Sequence, residues 1–220
     1  MKAPYATGCL LAVLATGALA SGFDDAMLAF ENKDYPRAQE AIEPLAKAGN
    51  AAALTLLGRI REEGYHDVAG ALPLYRQAAE KGFAEAQVQL AELYDGGDGV
   101  PRDAELALRW YERAAQQGNE EAQLALGLNY ADVRHDNLSA FGFFQQAADQ
   151  GNVTAQYRLG LLYLGDVDVP RDDIKAWVYL SLASEKLPEA DQARSALELN
   201  LPAETLTSAR VALSRWIAAH

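Results

Sequence analysis

The 220-residue chain has one cysteine, three histidines and 19 basic residues against 31 acidic ones, a formal net charge of −12. Each scarcity excludes something. A lone cysteine forms no internal disulfide, and three histidines do not complete a zinc site around it. The acidic balance, with pI near 4.7, argues against a nucleic-acid partner, whose phosphates call for a basic surface, and against docking on anionic lipid. Valine, isoleucine and threonine together number 20, whereas alanine alone numbers 43. Sheets favour β-branched residues and helices favour alanine, so this balance points to an all-α protein. No apolar run reaches the ~20 residues of a membrane span.

The main apolar run, Cys9 to Leu19, lies in the leader. It follows Lys2 and ends in Ala18-Leu19-Ala20 before Ser21, the pattern of a cleavable, bacterial-looking signal peptide over residues 1–20. Cys9 is a poor lipoprotein cysteine, because the apolar run follows it instead of preceding it. Cleavage after Ala20 leaves residues 21–220, with a net charge of −13 and no cysteine. A thiol-free chain suits an oxidising compartment. The expected location is the periplasm, with full secretion as the other outcome.

What the chain has in abundance is repetition. Gly49, Gly82, Gly118 and Gly151 are spaced 33, 36 and 33 residues apart. Four residues after each stands an alanine (Ala53, Ala86, Ala122, Ala155), and eight after it a leucine (Leu57, Leu90, Leu126, Leu159). A small residue follows the leucine: Gly58, Ala91, Gly127, Gly160. Twelve after the glycine come Arg61, Tyr94, Tyr130 and Tyr163. Offsets of 4, 8 and 12 run along one side of an α-helix, here helix A, and its small residue lets a neighbouring helix approach. Asp67, Asp103, Asp136 and Asp172 then open a helix B, each suited to N-cap duty. Alanines follow them at fixed distances (Ala71, Ala107, Ala140, Ala176, then Ala78, Ala114, Ala147, Ala183). Pro101 and Pro170 keep A from merging with B, and each glycine suits the left-handed position after helix B.

The unit Gly82–Gly118 reads G-x-x-x-A-Q-x-x-L-A-x-L-Y-x-x-G-D-G-V-x-x-D-x-x-x-A-L-x-W-Y-x-x-A-A-x-x-G. This resembles the Sel-one-like repeat (SLR) family, a relative of the tetratricopeptide repeat. The resemblance implies an α-solenoid of antiparallel helix pairs wound as a right-handed superhelix, with repeats at 49–81, 82–117, 118–150 and 151–186. Repeats one and three have A–B loops three residues shorter, Arg61 replaces the tyrosine, and Asp168 replaces the second loop glycine. Residues 22–48 read as an N-terminal cap helix pair and 187–220 as C-terminal capping helices, which makes 21–220 a single domain. A monomer is the expected state.

Catalytic and metal readings are weaker than structural ones. His66 and His135 each precede an N-cap aspartate, and Arg102 and Arg171 stand at the same place in the other repeats. They are expected to be loop cations. The acids Asp95, Asp98, Asp166, Asp168, Asp172 and Asp173 fall where turns are needed and lack an EF-hand's ligand spacing. Trp110, Tyr111, Tyr179 and Leu180 read as helix-B core. No serine–lysine, H-E-x-x-H or G-x-S-x-G motif is present. No cofactor and no metal are therefore expected.

A solenoid presents one helix row along a concave face. By analogy with tetratricopeptide proteins that row is helix A, at positions three, six, ten and thirteen after each glycine. The candidate groove is Thr55, Arg59, Glu62, Val88, Glu92 and Asp95 in the first half, and Leu124, Leu128, Tyr157 and Leu161 in the second. The first half is mostly charged. The second is apolar and continues into Leu164. Either it binds a partner, or the C-terminal helices cover it as core. The reading favoured is a non-catalytic exported adaptor for a protein or peptide, the adaptor class being what the resemblance also implies, and the acidic rim favours a basic partner. The alternative is an envelope enzyme acting on cell-wall or β-lactam substrates.

Overall fold

The computed structural model describes residues 22–165 and 168–219. The leader, Asp166 and His220 lie outside the described residues. The chain divides into two compact units, the first ending at Trp110 and the second starting at Tyr111. Every regular element among the described residues is helical.

The first unit opens with α1 (22–31) and α2 (Tyr35–Lys47), then α3 (Ala51–Arg59), α4 (Val68–Glu80) and α5 (Ala84–Gly96). Helix α6 (Ala104–Gln116) contains the division. The second unit continues with α7 (Glu120–Leu128), α8 (Asn137–Asp149), α9 (Val153–Leu162), α10 (Asp173–Ser184), α11 (Pro188–Glu198) and α12 (Ala203–Ala219). From α2 to α5 in the first unit and from α7 to α11 in the second, consecutive helices pack against each other, and the A helices touch, α3 against α5 and α7 against α9. This is solenoid packing, as the repeat predicts.

The landmarks do the work their spacing suggests. Asp67, Asp103, Asp136 and Asp172 each accept a hydrogen bond from the amide three residues on, at 2.9–3.0 Å. The Ser139 hydroxyl and amide hold the Asp136 carboxyl below its usual pKa. Gly49, Gly82, Gly118 and Gly151 all have φ between 78° and 93°, the left-handed region where a side chain is strained. Asn50, Asn119 and Asn152 then cap α3, α7 and α9. In the second repeat Phe83 holds that place without a side-chain cap.

The small residue of helix A faces the residue eight after the capping aspartate of helix B. A Cβ on Gly58 would stand 2.5 Å from the Tyr75 ring, one on Gly127 2.6 Å from Phe144, and one on Gly160 2.8 Å from Leu180. Tyr75, Phe144 and Leu180 are at most 1% exposed, and each such burial contributes about 1.5–3 kcal/mol. The alanines at the landmark positions, among them Ala53, Ala71, Ala78, Ala140 and Ala155, are fully buried. They let backbones approach closely enough for the large residues to fill the remaining space.

The unequal A–B loops reach one end point by two routes. In every repeat the capping aspartate's amide donates to the carbonyl of the residue at position twelve: Asp67 to Arg61, Asp103 to Tyr94, Asp136 to Tyr130 and Asp172 to Tyr163, at 2.8–2.9 Å. The long loops use glycines in the left-handed region, Gly97, Gly99 and Gly165. The short ones widen into π-helical turns, Ile60–Gly64 and Asn129–Val133, followed by His66 and His135 at φ 55°. The histidines are therefore backbone pivots as well as exposed side chains.

At the C-terminal end α11 and α12 pack chiefly on α10. Enclosed by them and by α9, α10 buries Trp177 through Ser181 consecutively, and the Trp177 indole donates to Glu198 at 2.7 Å.

Two glycines should separate packing from propensity. Gly127→Ala is expected to lower stability by about 1–3 kcal/mol, because the Phe144 ring must move. Gly142, in mid-α8, has open space where a Cβ would go, so Gly142→Ala should raise stability by about 0.5–1 kcal/mol. Urea unfolding of both variants checks the opposite signs.

Candidate functional site

The candidate residues occupy helix A and its extension toward the loop. Position six does not reach the surface in the first unit. Thr55 is 1% exposed and Val88 0%. The Thr55 hydroxyl turns back to the Ala51 carbonyl at 2.9 Å. The reason is the contact between A helices: α3 is enclosed by α2, α4 and α5, so this side of the helix meets its neighbours. Leu124 and Tyr157, at the same position in the second unit, are half-buried against the core.

Positions ten and thirteen do reach solvent. Arg59 is half-buried, pairs with Glu63 at 2.9 Å and Glu85 at 3.9 Å, and lies 4.6 Å over the Phe30 ring. Glu92 is exposed and accepts from Gln89 at 3.0 Å. Asp95 takes Arg102 on its backbone carbonyl at 2.7 Å and on its carboxylate at 3.3 Å. Glu62 has a structural role, accepting the hydroxyl of buried Tyr75 at 2.7 Å. Burial and this bond push the Tyr75 phenol far above its usual pKa. The first unit thus presents a charged row that is largely paired with itself.

In the second unit Leu128 and Leu161 are half-buried beside Tyr130, Ala131 and Leu164. Arg158 on α9 grips Asp132 through both carboxylate oxygens at 3.1 and 3.0 Å. Tyr130 stacks on Phe143 at 5.5 Å, with Arg134 4.9 Å above its ring. Because α11 and α12 pack chiefly on α10, the apolar row is partly covered by its own neighbours, neither sealed nor fully open.

One repeated group escaped the sequence reading. Gln87, Gln123 and Gln156 stand five after the glycine and are 3–4% exposed. Gln87 and Gln156 donate to the carbonyls of Ala79 and Ala148 on the preceding helix B, at 3.2 and 3.3 Å. Gln123 instead joins Gln146 and Gln150. The signal was present as the A-Q pair in three of four repeats, with Leu54 the exception. A buried amide demands partners, so Gln87 and Gln156 tie one repeat to the preceding one, whereas Gln123 braces the two helices of its own repeat.

This geometry, helix pairs repeated with one capping and packing scheme, can be set against known proteins. The Sel1 repeat model matches residues 51–83, 84–119, 120–152 and 153–186. The chain belongs to the Sel1-repeat family. Sel1 repeats typically mediate protein–protein interaction. This Sel1-repeat chain is similar to the crystal structure of a Sel1 repeat protein from Oxalobacter formigenes, with TM-score 0.68 and 28% identity over 78% of this chain and 73% of that one. It is also similar to c5321, a protective antigen of uropathogenic Escherichia coli with an SLR fold. That match has TM-score 0.57 and 26% identity, over 93% of this chain and 54% of that one. Chitin synthase regulatory factor 4 of Schizosaccharomyces pombe is 35% identical over 95 residues, 40% of this chain and 15% of the relative. The chain therefore spans a small part of that relative's length.

Glu62 separates structure from recognition. Glu62→Ala should cost about 1–3 kcal/mol by leaving the buried Tyr75 hydroxyl unpaired, whereas Glu62→Gln, which keeps an acceptor, should cost less. Thermal melting of the two variants measures the difference.

Proposed function

We propose that the protein is an exported, non-catalytic adaptor whose helix-A faces hold a protein or peptide partner. One observation carries this reading. The residues that pack repeat from unit to unit, while those that face outward on the same helices do not. Position ten runs Arg59, Glu92, Leu128, Leu161, and position thirteen Glu62, Asp95, Ala131, Leu164. Packing needs the same small and large residues each time, whereas recognition needs surfaces that differ. Along the first unit's row Glu63 and Glu85 flank Arg59, Asp95 pairs with Arg102, and Glu92 is exposed; four acids against two arginines favour a basic partner. The second unit's row supplies apolar anchors, Leu128, Tyr157 and Leu161, of the kind that carry binding energy.

The fission-yeast relative is named a regulatory factor of a synthase, which supports a non-catalytic role. The leader pattern supports export, to the periplasm first.

Crosslinking in native envelopes followed by pull-down tests the adaptor. A Leu128→Asp/Tyr157→Ala double variant with unchanged helical circular dichroism should lose the partner that the unaltered chain captures. Equal capture would place recognition elsewhere, and nitrocefin hydrolysis by the purified chain would favour the envelope-enzyme reading. Export is tested separately: N-terminal sequencing of protein from periplasm or medium should begin at Ser21, and an intact Met1 would refute cleavage.

A further inference from the structure

The first and last helices among the described residues each turn an unpartnered face to solvent. On α1, Asp24, Leu28 and Glu31 are spaced four and three apart, one stripe of the helix, with Asp25 beside it. All four are exposed, Leu28 by 58%. On α12, Thr207, Val211, Ser214 and Ala218 recur at four, three and four. That stripe is exposed too, bordered by Arg210 and Ile217 on one side and by Arg215 on the other. Val211 is 46% exposed and Ile217 60%. The end helices of a solenoid need a polar outer face, which keeps the open ends soluble. Here both present large apolar side chains to water.

The two faces carry opposite charge. Helix α1 has Asp24, Asp25 and Glu31 and no cation. None of the three carboxylates forms an ion pair among the described residues. The turn that follows adds Lys33 and Asp34, which balance. From Thr205 to Ala219 the charged residues of α12 are Arg210 and Arg215, and neither is in an ion pair among the described residues. Glu204 lies in the first turn, about 9 Å along the axis before Arg210. The neighbouring α11 keeps its own arginine, Arg194, between Asp191 and Glu198. In a chain of net charge −12, the later turns of α12 are therefore a basic patch.

We propose that the chain associates head to tail, the α12 face of one copy receiving the α1 face of the next. The shapes match as helices A and B match within a repeat. Leu28 is the large side chain, and Thr207, Val211, Ser214 and Ala218 are the stripe of smaller ones that lets a helix approach. The charges match as well, since the carboxylates around Leu28 meet the arginines that border the stripe. Symmetric pairing is opposed by the same charges. Joining α1 to α1 would set three carboxylates against three, and α12 to α12 two guanidinium groups against two. Each contact is heterologous and leaves a free face at either end, so a dimer extends into a longer chain or closes into a ring. The monomer expected from the sequence is the dilute form of this equilibrium. The contact uses none of the helix-A candidate row and does not rest on the adaptor reading.

Sedimentation velocity of the purified chain over a wide range of concentration tests the proposal. The mean mass should rise above that of the monomer as concentration rises. Arg210→Glu/Arg215→Glu and Asp24→Lys/Glu31→Lys should each weaken self-association by about tenfold or more. The altered side chains are exposed, and unchanged helical circular dichroism checks that both variants keep the fold. Mixed in equal amounts, the two variants should associate again, because each reversed face then meets its opposite on the other variant. The Leu128→Asp/Tyr157→Ala variant should self-associate as the unaltered chain does. A monomer at every concentration overturns the proposal, as does self-association that survives either charge reversal or is not restored on mixing. Loss with Leu128→Asp/Tyr157→Ala and not with the charge reversals would also overturn it, by making the helix-A row the contact between copies.

Discussion

Everything in this molecule depends on how closely helix A can lie against helix B. At Gly58, Gly127 and Gly160 the facing ring or isobutyl group occupies the place a Cβ would take. A missing methyl on one helix is thus the seat of a large side chain on the other. Buried alanines on both helices hold the same close spacing elsewhere along the contact. Such an interface tolerates little change in volume, since interiors pack at crystal-like density. It also explains how short helices of 9–13 residues, marginal by themselves, are held in each unit.

Close packing fixes where each helix must start, and the loops obey that demand. The bond from the capping aspartate's amide to the position-twelve carbonyl recurs although the loops differ by three residues. Long loops turn on glycines in the left-handed region, and short ones combine a π turn with a histidine in that region. Loop length is therefore free to vary while helix placement is not. That freedom lets the surface between A and B differ among repeats at little cost to the core.

Much of the repeat was legible because it is periodic. The aspartate caps and the left-handed glycines could be placed by counting, since each depends on residues within one or two turns, and the small positions of helix A because the repeat returns them at one offset. The candidate row was less legible. Thr55 and Val88 share their offset with Leu124 and Tyr157, yet the first pair is buried and the second half-buried. Offset gives a direction on one helix, and exposure depends on which neighbours lie in that direction. Glu62 illustrates the same limit: it reads as a surface acid, but it accepts the hydroxyl of Tyr75, thirteen residues away. The buried glutamines were overlooked because a polar residue beside a core alanine has no local requirement to face inward.

The amino-acid sequence by itself determined the helix pairs, their ends and their family, because capping, propensity and packing period act over a few residues. The tertiary structure decided which helix faces stay open. It sent α11 and α12 onto α10, left the apolar row of α7 and α9 half-covered, and brought α8, α10 and α12 together around Tyr163 and Lys175. Those outcomes rest on contacts between residues far apart in the chain, where burial is settled by competition among neighbouring elements. An acidic, alanine-rich composition announces the scaffold; the surfaces left to solvent exist only once the helices are stacked.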